Sequence, residues 1–258
     1  MTGEKQTVGI IGLGAFGRFM AKHLAGHFTV KGYDRMRPGP GELAAAGAEQ
    51  LVPARFEEVA ACDIVVFAVP LEALAETAAA AGRHLRDGAL VLDVTSVKMR
   101  PVEILSQLPR RVDVLGTHPL FGPQSGKDGI AGMRIAMCPI RIGVERYYRV
   151  CDFLTEKLGL LCLKTTPEKH DREMARVQAM THFMSRALKK IGLQPSPMAT
   201  KAYEKLQEFS AIVLSDSWDL FLTIQNGNPF AEEMRQDFMR ELDELETSLN
   251  PAGMIKTA

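Results

Sequence analysis

Three groups of residues in this 258-residue chain have the types and spacing to do chemistry: a histidine, a glycine-rich loop and a polar helix face. His118 lies in Thr117-His118-Pro119-Leu120-Phe121-Gly122-Pro123, just after the apolar run 112–116, which reads as a strand. Imidazole titrates near neutrality and can take a proton from an alcohol, so a histidine at a strand end suits a general base. The two prolines fix φ and lack an N–H, which predicts a corner that continues neither a sheet nor a helix. A structural turn holding a partly buried histidine is the alternative.

The glycine loop Gly12-Leu13-Gly14-Ala15-Phe16-Gly17 follows an apolar strand, 7–11, and precedes a helical pattern over 18–27. In that context the first glycine makes a tight turn, the second admits a pyrophosphate and the third lets helix and strand pack. The helix amino terminus adds free N–H groups and a positive dipole end. The strand 28–33 ends at Asp34, placed to accept from a ribose 2′-hydroxyl, which favours NAD. Arg35 and Arg37 follow and could accommodate a 2′-phosphate, so NADP stays open.

Further strands read over 64–69, 90–94, 112–116 and 133–138, with an alanine-rich helix over 71–85, a helix over 145–158 and a last strand over 160–163. Alternating strands and helices imply an α/β fold of Rossmann type with a largely parallel sheet. Ligands of such sheets sit at the carboxyl ends of strands, where Gly12, Val69, Pro70, Ser96 and His118 fall. From Glu168 onward the pattern is helical, with breaks at Gln194-Pro195-Ser196-Pro197 and Asn226-Gly227-Asn228-Pro229. The expected organisation is a dinucleotide-binding domain, 1–166, and an all-helical domain, 167–258, that gains core by pairing with its copy in a homodimer. In its first helix Gln178, His182 and Arg186 share a face, either a functional one or a solvated stripe. The final helix, 230–249, offers Met234, Phe238, Leu242 and Leu245 for packing, and 251–258 reads as a frayed tail.

Composition excludes several classes. Lysine plus arginine (31) equals aspartate plus glutamate (31), which leaves no general field for nucleic acid or an anionic membrane. Cys62, Cys138, Cys151 and Cys162 show no metal-binding or disulfide spacing and read as core thiols of a reducing compartment. The polar start, without a signal-peptide pattern, and the lack of a run of ~20 apolar residues predict a cytoplasmic protein. No metal is expected.

The glycine loop, Asp93-Val94-Thr95-Ser96-Val97-Lys98, the Thr117–Pro123 segment and His170-Asp171, in this order, resemble the prephenate/arogenate dehydrogenases of tyrosine biosynthesis. Thr181-His182-Phe183-Met184-Ser185-Arg186 and Thr200-Lys201-Ala202-Tyr203-Glu204 are similar to runs in the plant-type arogenate dehydrogenases. The resemblance implies oxidative decarboxylation of a cyclohexadienol: hydride leaves C4 for NAD(P) and CO2 leaves C1. His118 would then take the C4 hydroxyl proton, and Ser96 would hydrogen-bond that hydroxyl or orient the imidazole. Many bacterial members carry an arginine near the position of Ala211 and a histidine at Ser185, so Arg186, Lys201 and Lys127, with Gln124, Ser125, Thr181 and His182, are the substrate-side candidates instead. The alternatives are another NAD(P)-dependent dehydrogenase, of the β-hydroxyacid dehydrogenase or imine reductase type, and a non-catalytic NAD(P) sensor.

Overall fold

The computed structural model describes residues 5–249, so the tail expected at 251–258 lies outside the described residues. The chain divides into two compact units, Met1–His170 and Asp171–Ala258. The first holds an eight-stranded sheet of order β3-β2-β1-β4-β5-β6-β7-β8. Its strands are β1 (Thr7–Ile11), β2 (Thr29–Tyr33), β3 (Val52–Pro53), β4 (Ile64–Phe67), β5 (Leu90–Asp93), β6 (Asp113–Pro119), β7 (Arg134–Arg141) and β8 (Leu161–Lys164). Neighbours pair in parallel except β6 and β7. The 120–133 connection forms no helix, and without a helical crossover the chain returns antiparallel.

The helices of this unit are α1 (Ala15–Leu24), α2 (Pro40–Ala45), α3 (Phe56–Ala60), α4 (Leu71–Gly82), α5 (Met99–Ser106) and α6 (Val144–Asp152), the last running into a π-helical turn, Phe153–Lys157. Side chains alternate across each strand, so one strand feeds two cores. Val65 and Phe67 of β4 and Val91 of β5 pack with Val59, Leu74, Ala78 and Leu105 from α3, α4 and α5. The intervening Val66 joins Ala21 of α1 and Leu43 of α2, and Leu90 joins Phe19 and Tyr147 of α1 and α6. The sheet is therefore covered on both faces, as the runs of apolar residues predicted.

The expected corner at His118 is not there. β6 runs on through Thr117, His118 and Pro119, which pair with Met137, Ala136 and Ile135 of β7. The N–H of Leu120 donates to Arg134 (2.9 Å), so by alternation residue 119 turns its nitrogen away from β7. On that side β5 has already ended, its last pair being Asp93 with Gly116. The N–H that proline lacks is thus one no strand would have received.

Helix α7 (Pro167–Met174) begins in the first unit and ends in the second, where a π-helical segment, Ala175–Ala179, leads into α8 (Met180–Ile191), α9 (Lys201–Leu214), α10 (Trp218–Gly227) and α11 (Ala231–Leu249). Gly192 ends α8 in the left-handed region (φ 86°) with its N–H on the carbonyls of Leu188 and Lys189. Thr200 and Ser217 cap α9 and α10 by accepting from Tyr203 N (3.3 Å) and Leu220 N (3.1 Å), each worth ~1 kcal/mol. The break before Ser217 was not expected, because neither glycine nor proline marks it. On α11, Met234 and Phe238 are half-buried while Leu242 and Leu245 are exposed.

Candidate active site

The glycine loop is sterically built for its residues. A Cβ on Gly12 (φ 102°) would lie 2.4 Å from the carbonyl oxygen of Ala68 and 3.1 Å from Val69, and one on Gly17 would lie 2.0 Å from the Gly12 oxygen. Gly14, by contrast, is exposed and meets nothing within 4 Å, which leaves open the approach a pyrophosphate needs. Helix α1 starts beside it, at Ala15, with no side-chain cap and no acidic residue in its first turn. Phe16 turns inward to the Phe19 and Phe121 cluster rather than to the loop. Asp34 accepts from Leu13 N (2.6 Å) and Met36 N (2.8 Å), so its carboxylate stands beside the loop with lone pairs left for a ribose hydroxyl. Arg35 is held outward in an exposed pair with Glu76 (3.4 Å). Pro70 is the exposed residue before α4. These residues fit NAD(P). Arg18, which the sequence analysis passed over, folds back along the loop, its Nη1 donating to the Leu13 carbonyl (3.0 Å).

His118 is buried (4% exposed), and its Nδ1 lies 2.9 Å from Nε2 of His170, itself 3% exposed. Burial, then His170, then Lys98 hold the His118 imidazole well below its usual pKa, so it is neutral at pH 7. The segment before it is pinned by Lys98, fully buried, whose Nζ bonds the Asp93 carboxylate, Thr95 Oγ1 (3.1 Å) and the Thr117 carbonyl (2.7 Å). Thr117 Oγ1 in turn donates to the Asp93 carbonyl (2.5 Å). The ends of β5 and β6 are thereby locked together at the histidine. Ser96, half-buried in the loop after β5, makes no hydrogen bond among the described residues. The imidazole contact at Nδ1 of His118 is made by His170, not by Ser96.

In the second unit the face of Gln178, His182 and Arg186 is not a solvated stripe. Gln178 Oε1, His182 Nδ1 and Arg186 Nε are buried without partners, as are Ser185 Oγ and Ser210 Oγ. Arg186 donates through Nη2 to the Asp216 carbonyl (2.7 Å) and lies 5.5 Å from the rings of Trp218 and Phe221. His182 Nε2 is 3.6 Å from Asp216 Oδ2, but burial, aided by Arg186, pushes its pKa down to about 4. The imidazole is neutral at pH 7, so this contact is no ion pair. Burial raises the Asp216 carboxyl against the opposing pull of Arg186.

Other candidates are placed less favourably. Thr181 spends its only proton on the Val177 and Gln178 carbonyls (both 2.9 Å), so it is not a free donor. Lys201 points to solvent and pairs with Glu204 (2.8 Å) in the first turn of α9. Ser125 Oγ accepts from Gly122 N (2.9 Å) and closes a local turn, while Gln124 and Lys127 are exposed on the same loop.

A family model described as "Prephenate dehydrogenase, nucleotide-binding domain" matches residues 16–134. Arogenate dehydrogenase 2, chloroplastic, of Arabidopsis thaliana is 33% identical over 238 residues, covering 88% of this chain and 65% of its own length. This chain is similar to the prephenate/arogenate dehydrogenases. Arogenate dehydrogenase 1 of the same plant is 32% identical over 261 residues, 96% of this chain and 40% of its own length. The chain thus spans less than two thirds of either relative. Prephenate dehydrogenase from A. aeolicus, solved with hydroxyphenyl propionate and NAD+, shares the fold with a TM-score of 0.75 at 21% identity, covering 98% of this chain and 93% of that one. Synechocystis arogenate dehydrogenase superposes with a TM-score of 0.70 at 21% identity, covering 95% and 92%. A second model, described as "TYRAAT1-like, C-terminal domain", matches residues 187–253.

The sequence showed His170 and Lys98 only as parts of motifs without roles, and Asp216 not at all. A lysine that is fully buried cannot be told by pattern from one on the surface. Asp216 was traceable in principle, since Ser217 before Trp218 has the form of a helix cap and places an acid at a helix junction.

Proposed function

We propose that the protein oxidatively decarboxylates arogenate or prephenate with NAD(P), giving tyrosine or 4-hydroxyphenylpyruvate plus CO2. The observation that carries this reading is His118: a buried, neutral imidazole with Nδ1 engaged, at the end of β6 in a dinucleotide-binding fold. The nicotinamide supplies the hydride acceptor. His118 takes the C4 hydroxyl proton as hydride leaves C4. The electron pair of the bond from C1 to the carboxylate then enters the ring, which becomes aromatic, and the oxygen recovers a proton from the imidazolium. Ser96 holds the hydroxyl by a hydrogen bond. Gly12 to Gly17, Val69 and Pro70 bind the cofactor, and Asp34 supports NAD over NADP.

For the substrate carboxylates, the first unit by itself offers Gln124, Ser125 and Lys127, and the second unit offers Arg186 as a cation and His182 as a donor. Asp216 beside them supports arogenate, whose side chain carries an ammonium where prephenate has a keto group. The exposed Leu242 (42%), Leu245 (58%) and Leu249 (74%) on α11 support a homodimer. Four free thiols support a cytoplasmic or otherwise reducing compartment. Among the described residues no helix is long and apolar enough to cross a membrane. The deciding experiment assays both substrates with both cofactors, following reduced cofactor and CO2. Arogenate with NAD is expected to be fastest, and absence of turnover in all four combinations would refute the proposal.

A further inference from the structure

The contact between His118 and His170 assigns more than an orientation. A neutral imidazole has one N–H and one bare nitrogen, so two ring nitrogens 2.9 Å apart must be one donor and one acceptor. Two assignments are possible. If His118 Nδ1 accepts, its hydrogen sits on Nε2 and the ring cannot take a proton there. If His118 Nδ1 donates, Nε2 carries the lone pair and is a base. Nε2 makes no hydrogen bond among the described residues, whereas Nδ1 is fully committed.

We propose that His170 is a positioning residue that holds His118 in the Nδ1–H tautomer by accepting its hydrogen bond at Nε2. This rests on the reading of His118 as the base. Backbone geometry supports it from both sides. His118 is fixed in β6 between the Thr117 carbonyl, bonded by Lys98, and the pairing with Ala136. His170 is fixed on α7, its N–H on the Thr166 carbonyl (2.9 Å), and the two rings meet edge to face at 5.1 Å. The groups facing His118 are thus His170 and the ammonium of Lys98, with the Asp93 carboxylate behind Lys98. A carboxylate in place of His170 would orient the ring equally well but would also make it more basic. An imidazole accepting at Nε2 fixes the tautomer without placing a negative charge beside the base, which leaves the base weak enough to return its proton. When His118 becomes an imidazolium, its Nδ1–H already points at an acceptor, so no reorganisation accompanies the transfer.

The test is nitrogen-15 NMR of the ring nitrogens of His118 in the full chain without substrate, together with the variants His170→Gln and His170→Leu. The expected result places hydrogen on Nδ1 of His118 in the unmodified protein and in His170→Gln, whose amide oxygen can accept. In His170→Leu that preference should disappear and kcat should fall on the order of 10- to 100-fold, part of the contribution of a general base, with cofactor Kd unchanged. Hydrogen on Nε2 of His118 in the unmodified protein would overturn the proposal. So would equal losses of kcat in the Gln and Leu variants. The spectrum of the unmodified protein needs neither turnover nor a folded variant, so a failure of the proposed reaction and a failure of this tautomer are told apart.

Discussion

The surroundings of His118 and the polar face of α8 are both buried, yet they treat polar atoms in opposite ways. Around His118, Lys98, Asp93, Thr95, Thr117 and His170 bond one another, and only Asp93 Oδ2 stands without a partner. On and around α8, Gln178, His182, Ser185, Arg186 and Ser210 each bury an atom that bonds nothing. Leaving a buried polar group unpaired costs roughly 1–3 kcal/mol. The first arrangement is complete in itself; the second leaves donors and acceptors unpaired, as the proposed substrate face requires. Chemistry needs a base whose geometry is already set, whereas recognition gains specificity from groups that only the right ligand can satisfy.

The comparison can be broken at either end. His118→Asn should lower kcat on the order of 10²- to 10⁴-fold and leave cofactor Kd unchanged; steady-state kinetics with calorimetric cofactor titration measures both, and near-normal turnover would remove the base. Lys98→Met leaves the Asp93 carboxylate buried and unpaired, and should cost about 3–5 kcal/mol in urea unfolding. A variant as stable as the parent would show that the network is not what locks β5 to β6. Asp216→Asn should alter stability little but move the ratio of kcat/KM for arogenate over prephenate downward on the order of 10-fold, as expected for a charge-assisted hydrogen bond.

Proton linkage gives a finer test. His182 titrates near 6.5 when unfolded and at about 4 when folded, so between these values the unfolded chain binds more protons. Stability from this group is complete above pH 6.5 and is lost as pH falls toward 4, and His182→Gln should flatten that slope in a pH series of unfolding curves. The smallest effect is expected for Ser210→Ala. It removes an unpartnered hydroxyl, so it should leave stability within about 1 kcal/mol or raise it. A clear loss of stability would mean that the hydroxyl is already bonded in the free protein.

The parts of the fold that sequence made legible are those with short-range signals. The glycine loop, the alternation of apolar strands with helices, and the change to helices near Glu168 all follow from spacing and composition. Three features escaped for physical reasons. β6 continued through Pro119 because a proline is tolerated wherever the neighbouring strand has ended, which depends on where β5 stops and not on residues 117–123. The helix break before Ser217 has no glycine or proline, and rests on one hydroxyl. The burial of Gln178, His182 and Arg186 could not be read from their spacing, since a solvated stripe and a recognition face share the same periodicity. His118 stands out in the sequence, but its partner lies 52 residues on, and only the fold brings them together.

Where β5 stops, residues 117–119 are left with a strand on one side only, a short open edge inside an otherwise continuous sheet. Such edges invite extended peptides to add as a further strand. Here the Thr117 carbonyl is taken by a lysine ammonium and position 119 has no N–H to give, so the edge keeps only the Pro119 carbonyl for an incoming chain. The edge beside His118 is thus a poor template for β-augmentation, and disfavours self-association through these residues.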